Sequence, residues 1–215
     1  MRLSPPMRVC KLCFENIKDF DFPYFIKDFQ ICHRCYEDIR PTFRNFKIGN
    51  IEALSIYDYT ERIQSLLYQF KGCYDIELSS VFLERFCFEL TLLYKDYLMI
   101  PIPSFKEDDK TREFNHVIEM FSFLKLKTLN ILIKTNHFKQ ASHNASKRKE
   151  IEKYIDLTER PDLTKKKVLL VDDVYTTGAT MKAAINLIKE LHPRCIKVLV
   201  MSKTVFKEEK VPNIQ

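Results

Sequence analysis

Glycine is scarce in this 215-residue chain, which has three glycines and no tryptophan. Long apolar runs are missing as well. The most apolar segment, residues 79–103, carries five charged side chains, and no apolar run approaches the ~20 residues that span a membrane. The first ten residues lack the apolar core of a signal peptide. We therefore expect a cytoplasmic protein, either free or peripheral at the inner membrane.

The net charge of +6 is mild. It permits nucleic-acid binding without arguing for it, since solvated lysines alone can produce a basic face. The length allows one full-sized hydrophobic core plus a small appended module. A cytosolic chain keeps its seven cysteines reduced, so their spacing matters more than their number. Cys73, Cys87 and Cys195 lack a paired spacing and are interpreted as packing residues.

The other four cysteines form two pairs near the start of the chain, Cys10 with Cys13 and Cys32 with Cys35. Two residues separate the members of each pair and 18 residues lie between the pairs, which is the spacing of a four-thiolate zinc site. Two redox pairs or incidental buried cysteines are the alternatives, and His33 could compete as a ligand. Four thiolates leave no open coordination position, so a zinc ion there would be structural. We expect a zinc-finger-like module at residues 1–45, folded largely by its metal.

The apolar pattern alternates strands with helices along the rest of the chain. Strands are predicted at 52–59, 97–103, 129–134, 166–171 and 195–203, and helices at 60–71, 76–96, 117–124 and 180–191. The polar segments 40–50 and 104–115 are interpreted as a connector and a loop. This alternation implies an α/β domain at residues 50–215, with a mainly parallel sheet flanked by helices.

The sequence KVLLVDDVYTTGAT, from Lys167 to Thr180, joins a buried strand to a helix. Asp172 and Asp173 fall at the C-terminal end of that strand, where open parallel sheets bind ligands. The following turn enters the helix N-terminus, where free N–H groups favour an anion, and Gly178 lets the backbone wrap it closely. A phosphate beside paired hydroxyls, as in ribose 5-phosphate, fits this arrangement. A turn without ligand is one alternative. A metal-dependent phosphatase, whose acids lie one residue apart, matches less well.

The same stretch closely resembles the phosphoribosyl pyrophosphate (PRPP) motif of type I phosphoribosyltransferases. With the cysteine pairs in front of it, the chain is similar to the ComF family over nearly its whole length. YQFKGCYD, which contains Lys71 and Gly72, is similar to that family's Lys-Tyr-x-Gly-Asp stretch. IPIPS and REFNH resemble its Pro-x-Pro strand end and its Arg-Gly-Phe-Asn-Gln loop, with Glu113 in place of the usual glycine and His116 where glutamine is frequent.

This resemblance implies a PRPP site at the matching positions. It assigns PRPP binding to Asp172, Asp173, Thr176, Thr177, Gly178, Ala179, Thr180, Arg112 and Ser104. It assigns a mobile lid, whose cations would neutralise pyrophosphate, to Lys147, Arg148 and Lys149. Mg²⁺ would accompany PRPP and stabilise the leaving group. The plainer alternatives are a solvated charge for Arg112 and an exposed basic run for the lid, and the sequence reveals no catalytic general base.

The resemblance further implies a competence factor that handles incoming single-stranded DNA in the cytosol during natural transformation. The sequences FRNFK, SKRK and the lysines from Lys165 supply aromatic and cationic side chains suited to single strands. One alternative is an active phosphoribosyltransferase with an unidentified acceptor. Another is a non-catalytic adaptor that docks a DNA helicase or translocase through residues 1–45.

Overall fold

The computed structural model describes residues 8–17, 30–134 and 155–205. Its α-helices are α1 His33–Asp38, α2 Glu61–Gly72, α3 Ser79–Leu83, α4 Cys87–Tyr94, α5 Lys106–Arg112, α6 His116–Phe121 and α7 Ala179–Lys189. Its strands are β1 Arg44–Ile48, β2 Ile51–Asp58, β3 Tyr97–Pro101, β4 Leu132–Lys134, β5 Ile155–Leu157, β6 Lys167–Tyr175 and β7 Cys195–Lys203. Short 3-10 turns cover Ile76–Leu78, Glu84–Phe86 and Ser122–Leu124.

A five-stranded sheet in the order β1-β2-β7-β6-β3 forms the centre of the fold. The β2–β7, β7–β6 and β6–β3 pairs are parallel, whereas β1 runs antiparallel to β2. The carboxyl ends of β2, β3, β6 and β7 therefore meet at one edge of the sheet. The expected α/β fold with a mainly parallel sheet is confirmed, and β4 and β5 form a separate antiparallel pair.

Two hydrophobic layers cover the two faces of the sheet, and β6 contributes alternate residues to each. Leu169 and Val171 lie in the layer that contains α2, α3 and α6. Val168 and Leu170 lie in the layer that contains α7. All four are fully buried, as expected of a parallel strand covered on both faces. The same alternation sends the side chains of Asp172 and Asp173 to opposite faces of the sheet.

The cysteine-rich segment packs directly on the sheet domain. Cys10, Cys32 and Cys35 belong to the same buried layer as α2 and α3. Lys11 Nζ lies 2.9 Å from Glu77 Oε2 and 3.0 Å from Ser80 Oγ. The two parts of the chain thus share one hydrophobic core.

Arg85 forms a second contact between the cysteine-rich segment and the sheet domain. Its guanidinium lies 4.1 Å from the ring centroid of Tyr36 and 4.6 Å from that of Phe86. It also donates to the carbonyl oxygen of Ile39 and to the hydroxyl of Tyr57. A cation over an aromatic ring gains cation–π energy, so Arg85 ties Tyr36 of α1 to the sheet domain.

Three expectations about the elements were wrong. Residues 44–48 of the expected connector form the edge strand β1, which joins β2 through Gly49 at a φ of 60°. The expected loop 104–115 contains α5, whose acidic first turn and basic last turn suit the helix dipole. The expected helix 76–96 is two α-helices and two 3-10 turns, because α3 packs against α6 whereas α4 packs against Ser122–Leu124.

The remaining cysteines follow the expected packing only in part. Cys87 and Cys195 are half-buried, and Cys87 Sγ donates to the carbonyl oxygen of Phe123 at 3.0 Å. Cys73 is exposed where α2 ends, so its interpretation as a packing residue was wrong. Within the described ranges, no helix combines the length and apolar character that crossing a bilayer requires.

Candidate functional site

The four paired cysteines converge into one cluster, as the sequence predicts. Their Sγ atoms all lie within 4.8 Å of one another, and those of Cys13 and Cys32 are 3.6 Å apart. Zn–S bonds of about 2.3 Å in a tetrahedron place the sulfurs ~3.8 Å apart, so the cluster fits a zinc ion. The N–H of Leu12 points at Cys10 Sγ, 3.4 Å away, and completes a turn that presents the first sulfur pair.

The electrostatics of the thiols agree with a cation at this cluster. Burial raises the pKa of Cys10, but backbone N–H groups outweigh it and bring the pKa down to about 7. Burial, followed by crowding from the other thiols, raises the pKa of Cys35, and burial raises that of Cys32. Four thiolates so close together repel one another unless a cation lies among them. Cys13 is half-buried and the other three are buried, while His33 is exposed and outside the cluster, so the geometry is that of a closed structural site.

The turn between β6 and α7 has the shape expected of an anion-binding loop. Gly178 precedes α7 with a φ of 72°, the left-handed region that favours glycine. A Cβ atom on Gly178 would clash with the phenol of Tyr175, because the Tyr175 ring covers the glycine. Gly178 offers no side chain to cap the helix, and Thr176 and Thr177 are exposed beside it. The turn therefore leaves N–H and hydroxyl donors for a phosphate.

Asp173 is buried and tied to two helices. Its Oδ2 atom lies 2.6 Å from Lys71 Nζ, where α2 ends, and 3.3 Å from His116 Nε2, where α6 begins. Burial raises the pKa of Asp173, but the hydrogen bond from His116 and the charge of Lys71 lower it more, so the net pKa lies well below its ordinary value. Asp173 is therefore the ionised member of the acid pair.

A hydrogen-bonded chain extends this network to Arg112. Arg112 Nη1 lies 2.8 Å from His116 Nδ1, and because a guanidinium can only donate, Nδ1 accepts. The imidazole proton is then on Nε2, from which it is donated to Asp173. Arg112 also donates to the carbonyl oxygen of Lys71 at 3.0 Å and contacts Asp109 at 3.3 Å. With 8% of its side chain exposed, Arg112 is a buried structural cation, not a solvated loop charge.

Asp172 has the opposite environment although it is the next residue along the strand. It lies on the α7 face of the sheet, half-buried, and its Oδ1 accepts the N–H of Asp173 at 2.9 Å. Burial and then the negative charge of Asp173 raise the pKa of Asp172 well above its ordinary value, and Lys134 opposes this only in part. A carboxylate in this position is stabilised by hydroxyl donors or a cation from a ligand.

The carboxyl end of β3 carries a second polar cluster. Ser104 Oγ donates to the carboxylate of Asp109, and Asn115 Nδ2 donates to Asp109 Oδ2 at 2.8 Å. Asn115 also caps α6 by accepting the N–H of Ile118 at 2.9 Å. These residues and Lys134 line a cavity of about 380 Å³ between the end of β3 and the β4–β5 pair. The predicted Ser104 thus lines a preformed cavity together with other polar side chains.

The structure brings most of the sequence-predicted site residues to one edge of the sheet. Ala179 and Thr180 begin α7 beside Gly178, as expected. Lys147, Arg148 and Lys149 lie outside the described residues. The structure adds Asp109, which lies in the expected loop, to the candidate site residues. It also gives roles to Lys71, which matched the family pattern in the sequence, and to His116, which departed from it. The sequence feature that could have indicated the role of His116 is its position four residues after Arg112, at the start of a helix.

Replacing one cluster cysteine should remove the metal. We expect Cys35→Ser to bind less than the ~1 zinc per chain of the wild type and to lose at least about 3 kcal/mol of unfolding free energy, since metal binding contributes to folding. Zinc content by mass spectrometry and urea unfolding measure both effects. Cys73→Ser, at an exposed thiol outside the cluster, is the matched control and should change neither. Equal zinc content in the two variants would contradict the site.

Alanine substitutions at Gly178 and Gly49 distinguish the cost of a steric clash from the cost of backbone strain. Both have positive φ, but a Cβ at Gly49 meets nothing within 4 Å, whereas one at Gly178 meets Tyr175. We expect Gly49→Ala to cost about 1 kcal/mol of unfolding free energy and Gly178→Ala about 3 kcal/mol, because only the second moves a neighbouring ring. Urea unfolding at pH 7 measures both costs. Equal costs would mean that Tyr175 does not cover the glycine.

The two acids should respond in opposite ways to loss of charge. Asp173→Asn removes a stabilising ion pair, so we expect the variant to lose about 2 kcal/mol of unfolding free energy at pH 7. This loss is smaller than that for a fully buried pair, because 38% of the Lys71 side chain is exposed. Asp172→Asn removes an unfavourable buried charge and should be neutral or slightly stabilising. Urea unfolding of the two variants beside the wild type measures this contrast.

The pH dependence of these variants follows from the direction of each pKa shift. The stability from Asp173 is present above the unfolded pKa of ~3.9 and is lost as pH falls below it, so the Asp173→Asn deficit should shrink towards pH 3. The cost from the raised pKa of Asp172 appears as pH rises above ~3.9, so any gain from Asp172→Asn should grow with pH. A deficit for Asp173→Asn that is constant from pH 7 to pH 3 would contradict the assignment.

Comparison with known proteins identifies relatives of the chain. Residues 120–211 match the phosphoribosyl transferase domain. The chain is 30% identical over 201 residues to competence protein ComFC of Bacillus subtilis (strain 168), covering 87% of this chain and 80% of that protein. It is 29% identical over 194 residues to competence protein ComFC of Streptococcus pneumoniae (strain ATCC BAA-255 / R6), covering 87% and 83%.

A solved structure, the purine phosphoribosyltransferase from Pyrococcus horikoshii Ot3, shares 20% identity with a TM-score of 0.36, covering 62% of this chain and 92% of that one. The similarity to the curated proteins extends over most of both sequences. The match of residues 120–211 to the phosphoribosyl transferase domain and the four-cysteine cluster in front of it are consistent with this similarity. The chain therefore belongs to the ComFC family.

Proposed function

We propose that this protein is a competence factor that binds PRPP with Mg²⁺ and handles single-stranded DNA in the cytosol. The observation that carries the PRPP part is the position of the half-buried Asp172 near the C-terminal end of β6, which leads into the glycine turn before α7. The two ComFC relatives, both named competence proteins, support the role in natural transformation. We keep the division into a module at residues 1–45 and a domain at 50–215 as part of the proposal.

Each part of PRPP has a complementary group at the sheet edge. The N–H groups and threonine hydroxyls of residues 176–180 would hold the 5-phosphate. Asp172 would accept hydrogen bonds from the ribose hydroxyls, which relieves the burial that raises its pKa. Asp173 would act one step away, by fixing the strand through Lys71 and His116.

The pyrophosphate would lie at the end of β3, beside Ser104 and the cavity lined by Lys134. Arg112 would contribute through its contacts with Asp109 and His116, since its guanidinium is buried among them. Lys147, Arg148 and Lys149 remain proposed lid residues. Their cationic side chains would close over the pyrophosphate from the segment between β4 and β5.

The donor set of the site fits a magnesium ion that arrives with its ligand. Mg²⁺ prefers oxygen ligands and is commonly held by one or two carboxylates together with substrate phosphates. Asp172 offers one such carboxylate, whereas in the described part of the chain only the cysteines bring three potential ligands together. When bound, Mg²⁺ would supply neutralisation of the pyrophosphate charge.

Calorimetric titration of PRPP with Mg²⁺ into the zinc-loaded protein tests this function. We expect saturable binding that ribose 5-phosphate competes with, and at least tenfold weaker binding in Asp172→Asn. Asp162→Asn is the matched control, because Asp162 likewise accepts a backbone N–H, that of Thr164, at an exposed position. The absence of saturable binding in the wild type, or equal affinities in the two variants, would refute the PRPP site.

A further inference from the structure

A second cavity, of about 410 Å³, lies where β3 and β6 begin, at the opposite end of the sheet from the acid pair. We call it the lysine groove. Its walls come from the turn after α4, from the first two residues of β3, from the segment 125–129 and from residues 161–167. The length of β6 therefore separates the lysine groove from the candidate PRPP site.

The lysine groove carries an excess of positive charge, since five lysines and two aspartates line it. Both aspartates are engaged. Asp96 lies 3.6 Å from Lys167, and hydrogen bonds from Thr164, followed by the charge of Lys166, lower the pKa of Asp162. The other three lysines are exposed, and within the described ranges they form no ion pair: Lys95, Lys125 and Lys127. A ligand with several negative charges is therefore favoured.

The edge of β3 offers unpaired backbone groups to the lysine groove. The N–H and C=O of Met99 point away from β6 and bond the backbone of Lys127 and Leu129, at 2.9 and 2.8 Å. Because alternate residues of a parallel strand direct both groups to the same side, those of Tyr97 point away from β6 as well. No backbone group of the described residues bonds to them. The first residue of β3 is thus open to a further strand.

The segment 125–129 approaches β3 through a strained residue. Lys125 has a φ of 53° and a ψ of 27°, the left-handed region, which a lysine adopts only at a cost. Glycine would adopt this conformation without that cost. Residues held in such conformations cluster at ligand-binding positions, so the strain supports a role for the Lys125 side chain in the lysine groove.

The lysine groove also has an apolar part. Three half-buried leucines leave some of their side-chain surface exposed there: Leu98, Leu126 and Leu129. Tyr97 is the aromatic residue among the described walls, and its ring contacts Tyr94 and the ammonium of Lys167. A base needs a free ring face for stacking, whereas the leucines suit aliphatic side chains. The walls therefore favour a peptide over a nucleic acid.

We propose that the lysine groove binds an extended acidic segment of a partner protein, which adds to the edge of β3 beside Tyr97. The backbone of the segment bonds the N–H and C=O of Tyr97. Side chains alternate along an extended chain, so its carboxylates contact the lysines while its aliphatic side chains contact the leucines. The groove lies away from the PRPP site, and this inference does not depend on the proposed function.

Fluorescence anisotropy with the zinc-loaded protein and a labelled peptide of alternating glutamate and valine, about ten residues long, tests the groove. We expect saturable binding that is at least threefold weaker in Lys127→Gln. Lys182→Gln, at an exposed lysine of α7, is the matched control and should bind like the wild type. The same peptide with every amide N-methylated cannot pair with a strand edge, so it should not displace the probe.

Lys125→Gly distinguishes a ligand-binding lysine from a structural one. The variant removes the cation and relieves the left-handed strain. We expect it to bind the peptide at least threefold more weakly, although its midpoint of urea unfolding is equal to or higher than that of the wild type. A lowered midpoint together with wild-type affinity would mean that Lys125 serves the fold alone.

Each contrary outcome overturns a defined part of the inference. Absence of saturable binding to the wild type, or wild-type affinity in both Lys127→Gln and Lys125→Gly, overturns the groove. Displacement of the probe by the N-methylated peptide overturns strand addition. Equal displacement by oligothymidylate overturns the preference for a peptide and assigns the groove to nucleic acid. No PRPP is present in these measurements, so their failure and the failure of PRPP binding are independent results.

Discussion

The buried charge of Asp173 is the constraint on which the arrangement of residues at the carboxyl edge of the sheet depends. A carboxylate at the end of a fully buried strand is costly unless cations and hydrogen-bond donors surround it. Lys71 and His116 provide them, at 2.6 and 3.3 Å. These contacts fix the end of α2 and the start of α6 against β6, and Arg112 extends the restraint to α5. The turn that follows β6 therefore begins from a rigid position.

The adjacent acids Asp172 and Asp173 have different environments because they lie next to each other on a strand. Successive side chains point to opposite faces, so Asp173 lies in the layer of α2 and α6 beside Lys71 and His116, and Asp172 lies on the α7 face. Burial raises the pKa of both carboxyls, but His116 and Lys71 reverse this effect at Asp173, whereas the charge of Asp173 adds to it at Asp172. Asp173 stabilises the fold at neutral pH, whereas Asp172 costs stability and remains available to a ligand. This division is typical of functional sites, where stability is given up for binding.

The sequence was sufficient to predict the sheet, the cysteine cluster and the glycine turn before α7, because each has a local pattern. Buried strands, paired cysteines and the glycine before α7 are all visible within about ten residues. The edge strand β1, the helix α5 and the break at Glu84–Phe86 depend on partners far along the chain. Likewise, no local signal tells that Arg112 is buried against His116, or that Phe46 meets Tyr175 across the sheet edge.

The shared core of the cysteine cluster and the sheet has a consequence for how the protein responds to its metal supply. Cys10, Cys32 and Cys35 pack in the same layer as Leu66, Phe70 and Phe82. Elements that share a core unfold together, so the free energy of metal binding is distributed to α2 and, through Lys71, to Asp173. Metal depletion at the cysteine cluster would then act at a distance, by loosening the sheet edge. The availability of zinc would then change the stability of the proposed ligand site, because the two parts of the fold unfold cooperatively.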